Sequence, residues 1–297
     1  MFYENWMSYI KDDAKITKVA MPGSHNSGTM GMIRFAECQK GSFYEQYKCG
    51  VRFFDIRLKM GKNGKLIVAH GLANGMDAES AFKNLRAIFT ESDEFFVISL
   101  RTYMNQAVGP ITLRYKGNSD ETSRLINEYL LPEKYAFTDF ENIADVTMGD
   151  IRKSGKKYII INENAEYDYS FDCPFYGPWE PSIYGLRTDK FAKKILEYFN
   201  NDYENGFFWF QTQQTPNFGT DNGMTKFPDD LDRMVRPFIP QIVSDIAKDP
   251  DMLRKVNIIA GDFMSADTFK ASKILALNLL KGIVKDELVS EYLNFIR

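Results

Sequence analysis

The stretch Val51-Arg52-Phe53-Phe54-Asp55-Ile56-Arg57-Leu58 decides the fold class, because it is a short, largely apolar run of β-branched and aromatic residues. Seven similar runs occur along the chain, at Ile16–Met21, Leu66–Ala69, Phe95–Leu100, Tyr158–Ile161, Ser182–Leu186, Phe207–Phe210 and Val256–Ala260. Near-continuous apolar strands of this kind are typical of a parallel sheet that is covered on both faces. We therefore expect about eight buried, mostly parallel strands.

Helical patterns lie between several of these strands. Asp77–Thr90 begins at a capping aspartate and repeats apolar residues along one face, and similar patterns cover Asp189–Asn200 and Asp267–Asn294. Strands that alternate with helices place the chain in the α/β class. The sequence shows no repeat and no Pro/Ser-rich linker, so we predict a single irregular (β/α)8 TIM barrel that occupies residues 1–297 as one domain.

The composition excludes several classes of protein. Hydrophobic residues make up 44% of the chain and charged residues 26%, which is enough for a large core without disulfides or structural metals. The net charge of −3 gives no basic footprint for nucleic acid, so no nucleic-acid partner is expected. No lysine-rich helix suggests attraction to anionic lipids, so any membrane contact must depend largely on apolar residues.

Cysteine usage and the termini leave some questions open. Cys38, Cys49 and Cys173 cannot form a closed set of disulfides, and we expect reduced thiols, although the spacing also permits a Cys38–Cys49 bridge. The longest apolar runs have the length of strands, so no transmembrane helix is expected. The first residues lack the features of a signal peptide, which fits either a cytoplasmic protein or one whose leader is absent from this sequence.

The reactive residues of this chain fall repeatedly at the ends of predicted strands. The only two histidines, His25 and His70, follow the first and third strands. Six more polar residues occupy such ends: Asp55, Arg57, Arg101, Asn162, Asn164 and Asp262. The active sites of these barrels are built at the carboxyl ends of the strands. Two imidazoles beside a fixed cation suit acid–base chemistry on a phosphate, whereas the alternative is solvated histidines and surface ion pairs.

Several motifs resemble the X-region barrel of phosphatidylinositol-specific phospholipases C. They are, in chain order, Glu4–Trp6, Pro22–Thr29, Arg52–Arg57, Ala69–Gly71, Ile98–Arg101 and Ala260–Phe263. Arg57 makes the similarity greatest to the bacterial, metal-independent branch. The resemblance implies a TIM barrel that cleaves phosphatidylinositol, or a related inositol lipid, to diacylglycerol and inositol 1,2-cyclic phosphate.

The resemblance also implies roles for individual residues. His25 would be the general base that takes the proton from the inositol 2-hydroxyl, and Asp262 would hydrogen-bond His25 and fix its tautomer. His70 would be the general acid that protonates the departing diacylglycerol oxygen. Arg57 would contact the phosphate, with Arg101 beside it. Two cations there would repel a divalent metal, so no metal and no other cofactor is expected.

One departure from the bacterial pattern concerns the residue after His25. The bacterial relatives carry Asp at this position, where it helps to keep the acid histidine protonated, but this chain has Asn26. An amide can orient His70 but cannot raise its pKa by charge. Asp55 would compensate in part. We expect the activity to be weakened or its pH optimum to be lower.

The expected inositol-binding residues match the family less well. The strand-five arginine of the family is missing, and Asn162 and Asn164 lie in that neighbourhood. Arg187, Asp189 and Phe191 are similar to the strand-six segment in which an Asp and an aromatic grip the inositol ring. Asp189 is equally placed to cap the following helix, so both roles stay open.

The resemblance implies a peripheral partner, namely phosphatidylinositol or a related lipid at a membrane surface. Phe218 would be an aromatic membrane contact, and the protein would be a monomer that is secreted or at the cell surface. Two other functions stay open. One is a catalytically inactive barrel that binds an inositol lipid or a protein. The other is a metal-dependent glycerophosphodiester phosphodiesterase, against which Asp55-x-Arg57 argues because that class uses Glu-x-Asp.

Overall fold

The computed structural model describes residues 2–102, 106–108, 111–113, 117–162, 170–171, 175–216 and 225–296. Its strands are β1 Met21–Ser24, β2 Phe53–Met60, β3 Leu66–His70, β4 Ala73–Asp77, β5 Phe96–Thr102, β6 Gln106–Val108, β7 Ile111–Leu113, β8 Tyr158–Asn162, β9 Ser170–Phe171, β10 Phe175–Tyr176, β11 Phe207–Gln211 and β12 Ile258–Gly261. Its α-helices are α1 Phe43–Lys48, α2 Ala78–Glu91, α3 Ser119–Leu125, α4 Pro132–Tyr135, α5 Met148–Ser154, α6 Pro181–Tyr184, α7 Thr188–Lys194, α8 Pro228–Val235, α9 Ile239–Lys248, α10 Pro250–Lys255, α11 Phe269–Leu280 and α12 Val289–Ile296.

The main sheet has the strand order of a parallel barrel. The hydrogen-bonded path runs β10-β11-β12-β1-β2-β5-β8-β9, and every pairing along it is parallel. In the part of the chain that the structure describes, the path ends at β9 and β10, so the barrel is not closed by pairing there. β3 and β4 form an antiparallel hairpin on β2, so the run that carries His70 is not the barrel strand that we predicted.

Successive side chains along the strands point to opposite faces of the sheet, and both faces are buried. One buried cluster contains Phe53, Val97, Ile159, Trp209 and Ile258, together with the N-terminal segment. The residues that follow them, Phe54, Ile98, Ile160, Phe210 and Ile259, belong to a second cluster with the surrounding helices. Since side chains alternate with a period of two, the first set faces the barrel interior. The continuous apolar character of the runs is explained by this burial on both faces.

The amino end of the barrel is closed by both ends of the chain. Ile10 forms an antiparallel bridge with Val284, and the Lys11 amide donates to the Ile283 carbonyl over 2.8 Å. The Phe2 ring stacks on Phe295 with centroids 4.6 Å apart. We call this end the base, and we call the opposite end, formed by the carboxyl ends of the parallel strands, the mouth.

The first strand lies further along the chain than we predicted. Ile16–Lys18 is a single 3-10 turn, and β1 is Met21–Ser24. A Cβ at Gly23 would come within 2.9 Å of the Phe53 ring and 3.0 Å of Ile258, so only glycine fits this interior position. A strand that consists of Met, Pro, Gly and Ser has little apolar signal, which is why the sequence pattern missed it.

Two other predictions are wrong, because a proline and a glycine interrupt the predicted elements. The run Ser182–Leu186 is not a strand, because Pro181 opens the short helix α6 there. The pattern Asp267–Asn294 is not one helix. It divides into α11 and α12 at Gly282, whose φ of +68° is left-handed.

Helix α2 was predicted correctly. Asp77 is its N-cap and accepts a hydrogen bond from the Ser80 amide over 2.8 Å. Its predicted apolar face, which includes Phe82, Leu85 and Ile88, is fully buried. Among the described residues, no helix is both long enough and apolar enough to cross a membrane.

Candidate active site

The loop after β1 is fixed to the end of β2 by reciprocal hydrogen bonds. The Ser27 amide donates to the Asp55 carbonyl over 2.8 Å, and the Asp55 amide donates to Ser27 Oγ over 2.8 Å. The Asn26 amide donates to Asp55 Oδ2 over 2.9 Å, with Asn26 in the left-handed region at a φ of 46°. These bonds hold the loop that carries His25 at the mouth.

His25 and Asp262 form a buried pair at the mouth. His25 Nδ1 lies 2.7 Å from Asp262 Oδ1, and both residues are buried. The two residues follow β1 and β12, which are parallel neighbours. A carboxylate accepts the Nδ1–H, so this bond assigns the tautomer in which Nε2 carries the lone pair. Nε2 is therefore the atom of His25 that can act as a base.

Gln39 ties the two halves of this pair together. Its Nε2 donates to the carbonyl of His25 and to that of Gly261, both over 2.9 Å, and its Oε1 accepts from the Met264 amide over 2.9 Å. Lys270 supports the same turn, because its Nζ donates to the Asp262 carbonyl over 2.5 Å. Both side chains are buried, and neither was predicted from the sequence.

We expect Gln39→Leu to lower the free energy of unfolding by about 2 kcal/mol, because the His25 carbonyl and the Met264 amide would lose their buried partner. The Gly261 carbonyl would keep only its bond from the His25 amide. Urea denaturation measures the loss. The control is Gln241→Leu, which removes one bond of an exposed glutamine to Asp245 on α9. Equal effects of the two substitutions would show that Gln39 does not support the turn.

Asn26 contacts His25 rather than the residue that we expected. Its Nδ2 lies 2.9 Å from His25 Nε2 and 3.7 Å from Cys38 Sγ. The prediction that Asn26 orients His70 is therefore wrong, because the left-handed backbone at Asn26 turns the amide toward the base histidine. Its Oδ1 is buried and has no hydrogen-bond partner among the described residues. The amide covers the lone pair of the base.

His70 lies on the other side of the mouth, in the β3–β4 hairpin. Its Nδ1 lies 2.9 Å from the Ala36 carbonyl, and its ring centroid is 6.2 Å from that of His25. Burial lowers the pKa of His70 to about 4; the bond to Ala36 opposes this shift, and the charge of Arg57 adds to it. His70 is therefore mostly neutral near pH 7.

The lowered pKa of His70 predicts how stability depends on pH. Between about pH 4 and the ordinary value of 6.5, the unfolded chain binds a proton at His70 that the folded protein does not. We therefore expect this group to make the free energy of unfolding rise as the pH is raised through that window. Urea denaturation of the protein and of His70→Asn across the window should give a difference that changes with pH, and a constant difference would contradict the assignment.

Asp55, Arg57 and Arg101 point into the barrel at the mouth. Asp55 and Arg57 share the alternation of Phe53, and Arg57 lies opposite Arg101 in the β2–β5 register. The Arg57 guanidinium donates to Asp55 through Nε at 3.1 Å and through a terminal nitrogen at 2.8 Å. Burial alone would raise the pKa of Asp55, but the charge and hydrogen bonds of Arg57, followed by His25 and Arg101, lower it to about 2. Asp55 is thus an ionised group that positions Arg57.

Cys38 is a further residue of the site that was not predicted from the sequence. Its buried Sγ lies 3.7 Å from His70 Nδ1, between the two histidines. Burial, and then the charge of Asp262, raise the pKa of this thiol well above its usual range. Cys38 and Cys49 are both free thiols, so the expected reduced state holds for them, whereas Cys173 lies outside the described residues.

The predicted inositol-binding residues have different outcomes. Phe191 is fully buried in the core against Tyr184, so the prediction that it grips a ligand is wrong. Arg187 and Asp189 form an exposed ion pair at the start of α7, at 2.7 Å. Asn162 ends β8, but its side chain is not described. Asn164 and Phe218 lie outside the described residues.

Comparisons with known proteins place this geometry in context. No family model matches the chain. The 1-phosphatidylinositol phosphodiesterase of Staphylococcus aureus strain Newman is 38% identical over 74 residues, which are 23% of this chain. A protein of the same name from strain NCTC 8325 is also 38% identical over 74 residues. The match spans only 24% of the length of the Newman protein.

Solved structures cover much more of the chain at lower identity. The phosphatidylinositol-specific phospholipase C from Listeria monocytogenes superposes with a TM-score of 0.65 at 16% identity, over 93% of this chain and 98% of that one. A pentafluoro-Phe variant of the Staphylococcus aureus enzyme gives 0.63 at 16% identity, over 88% and 91%. At this identity the likeness establishes the fold.

The fold and the site define an α/β barrel of parallel strands whose mouth holds a histidine–aspartate pair, a second histidine and two arginines. Among proteins of this class, the chain is similar to the bacterial phosphatidylinositol-specific phospholipases C. Both the predicted barrel and the predicted resemblance are confirmed.

Proposed function

We propose that this chain is an enzyme that cleaves the phosphodiester of phosphatidylinositol, or of a related inositol lipid, into diacylglycerol and inositol 1,2-cyclic phosphate. The observation that carries the proposal is the buried His25–Asp262 pair, which faces His70 across a mouth that also holds Arg57. The names of the relatives and the shared fold support it.

The first half of the reaction is the attack on phosphorus. His25 Nε2 takes the proton of the inositol 2-hydroxyl, and the freed oxygen forms a bond to phosphorus. Asp262 stabilises the imidazolium that results. Because the Asn26 amide covers Nε2, the substrate hydroxyl must displace this amide first. Arg57 donates to the phosphate oxygens as charge develops on them, with Arg101 in register beside it.

The second half is the departure of the lipid. The bond from phosphorus to the diacylglycerol oxygen breaks, and His70 donates a proton to that oxygen. The proton must be present on His70, whose pKa is about 4. The fraction of enzyme with a protonated acid therefore falls as the pH rises above that value. We propose an acidic pH optimum for this reason.

The lipid partner is supported by exposed apolar side chains beside the mouth. Ile33 and Phe35, in the loop between His25 and Cys38, are 67% and 44% exposed, and Leu72, which directly follows the His70 loop, is 69% exposed. Phe35 directly precedes Ala36, whose amide donates to the Ile33 carbonyl over 2.8 Å and whose carbonyl contacts His70. Apolar residues around a mouth can enter the headgroup region of a bilayer as a peripheral contact.

We expect Ile33→Ser to weaken binding to phosphatidylcholine vesicles several-fold, because it removes apolar surface that would enter the bilayer. Sedimentation with the vesicles measures the bound fraction. The matched control is Leu280→Ser, since Leu280 is 60% exposed at the end of α11, near the base. The loop is not the membrane contact if the two variants bind equally.

A second candidate function is a barrel that binds an inositol lipid without turnover. The contact of the Asn26 amide with the base nitrogen and the low pKa of His70 favour it. A metal-dependent glycerophosphodiester phosphodiesterase is less well supported, because the position of its second carboxylate is Arg57, which is paired with Asp55.

Phosphorus NMR of phosphatidylinositol in detergent micelles tests the proposal directly. The purified protein is incubated with excess chelator at several values between about pH 4 and pH 8, around the pKa of His70. Formation of cyclic inositol phosphate is the expected result, and its rate should be higher at the acidic end. Lipid binding without product would support the second candidate. Product that forms only without chelator would support a metal-dependent enzyme.

A further inference from the structure

We propose that Cys38, His25 and Asp262 form a binding site for a soft divalent cation such as Zn²⁺, which would act as an inhibitor at the mouth of the barrel. The geometry carries the proposal: one ligand atom from each of these three side chains lies within 4.8 Å of the others, and all three side chains are buried.

The donor set fits zinc better than calcium or magnesium. A thiolate sulfur, an imidazole nitrogen and a carboxylate oxygen are ligands of zinc, whereas calcium and magnesium prefer oxygen alone. With bonds of about 2.0–2.3 Å, tetrahedral zinc holds its ligand atoms roughly 3.3–3.8 Å apart. The widest separation of 4.8 Å must therefore shorten by about 1 Å, and the direct His25–Asp262 bond of 2.7 Å must open slightly. The proton on His25 Nδ1 moves to Nε2, so that Nδ1 can bind the metal.

A second observation points into the same space. The Asn26 amide lies between His25 and Cys38, and its buried Oδ1 has no hydrogen-bond partner among the described residues. A buried oxygen without a partner beside three potential ligands is itself a group that a bound cation or its water would satisfy. His70 Nδ1, 3.7 Å from the Cys38 sulfur, is the nearest further nitrogen of the site.

The charges are compatible with a bound dication. Zinc displaces the proton of the Cys38 thiol to solvent, and the resulting thiolate and the Asp262 carboxylate together balance the charge of Zn²⁺. The nearby Arg57 is paired with Asp55, so its charge is already compensated. Bound metal would occupy His25 and the carboxylate that orients it. Inhibition therefore rests on the proposed function, whereas binding does not.

Cobalt titration tests the binding without any need for activity. Co²⁺ replaces zinc in such sites, and a thiolate ligand gives it a charge-transfer band in the near ultraviolet. We expect the wild-type protein to show this band at one equivalent, and Cys38→Ser to lose it with at least about a tenfold lower affinity. Cys49→Ser is the matched control, because Cys49 is a free thiol at the C-cap of α1, where its Sγ contacts the Ser265 carbonyl.

The outcomes separate the two proposals. A band that persists in Cys38→Ser, or that is absent from wild-type protein whose fold is confirmed by circular dichroism, would overturn the metal site. Reversible inhibition by Zn²⁺, relieved by chelator and reduced in Cys38→Ser, would establish its effect on catalysis. A cobalt band in a protein that does not cleave phosphatidylinositol would uphold the site and refute the proposed function.

Discussion

Replacement of His25 by alanine is expected to lower kcat by about 10²–10⁴-fold, the usual contribution of a positioned general base. The reason is the geometry of the pair: the bond of His25 Nδ1 to Asp262, at 2.7 Å, leaves Nε2 as the atom that can accept the proton of the attacking hydroxyl. Turnover of phosphatidylinositol micelles, followed by phosphorus NMR or by released diacylglycerol, measures the loss.

Three controls make this result specific. The variant leaves Asp262 buried without its partner, so rates are compared below the unfolding temperature of both proteins. Added imidazole should restore part of the activity, because the base acts through a ring that fits the vacated space. The double variant with His70→Ala should lose little more than the worse single variant, since both histidines serve one step. Near-normal rates in His25→Ala would mean that another group is the base.

Replacement of Glu94 by alanine is expected to lower the free energy of unfolding by about 3–5 kcal/mol, because it leaves a buried arginine without a counter-charge. Arg52 is completely buried and donates to Glu94 Oε2 through Nε at 2.9 Å and a terminal nitrogen at 2.8 Å. Glu94 also accepts from the Met7 amide over 3.0 Å, so the pair links β2 to the N-terminal segment.

The pKa values of this pair show what burial does to it. Desolvation lowers the pKa of Arg52 and raises that of Glu94, so burial disfavours both charges despite their mutual attraction. The double variant Arg52→Met with Glu94→Leu should therefore recover most of the stability that Glu94→Ala loses.

Urea denaturation measures all of these variants. The matched control is Glu79→Ala, which breaks an exposed ion pair with Lys83 on α2 and should leave the unfolding midpoint unchanged. Equal effects of Glu79→Ala and Glu94→Ala would refute the argument from burial.

The barrel was predictable because its strands carry their own signal. Runs such as Phe53–Leu58 and Phe96–Leu100 are buried on both faces of the sheet. Nearly every residue of such a run is therefore apolar, and the run can be recognised in the sequence. Strand β1 was not predicted because Gly23 is required by the close approach of Phe53 and Ile258 inside the barrel, and not by the strand propensity of glycine. Helix α6 was not predicted because its short apolar run resembles a strand. Pro181, which favours the first turn of a helix, was the signal against a strand.

The site was predictable to the extent that parallel strands bring their ends together. His25 and Asp262 lie far apart in sequence but follow neighbouring strands, so their contact follows from the topology. Cys38 and Gln39 come from a loop without regular structure, and no periodicity indicates where they lie. The direction of the Asn26 amide depends on a left-handed φ, which motif comparison does not reveal.

The closure of the base by both termini has a practical consequence for tethering the protein. The Tyr3 hydroxyl donates to the Phe295 carbonyl over 2.8 Å, so the N-terminal and C-terminal segments meet at one pole. The histidines occupy the opposite pole. A solid support, a fluorophore or a fusion partner attached through either terminal segment would therefore leave the mouth pointing away from the attachment.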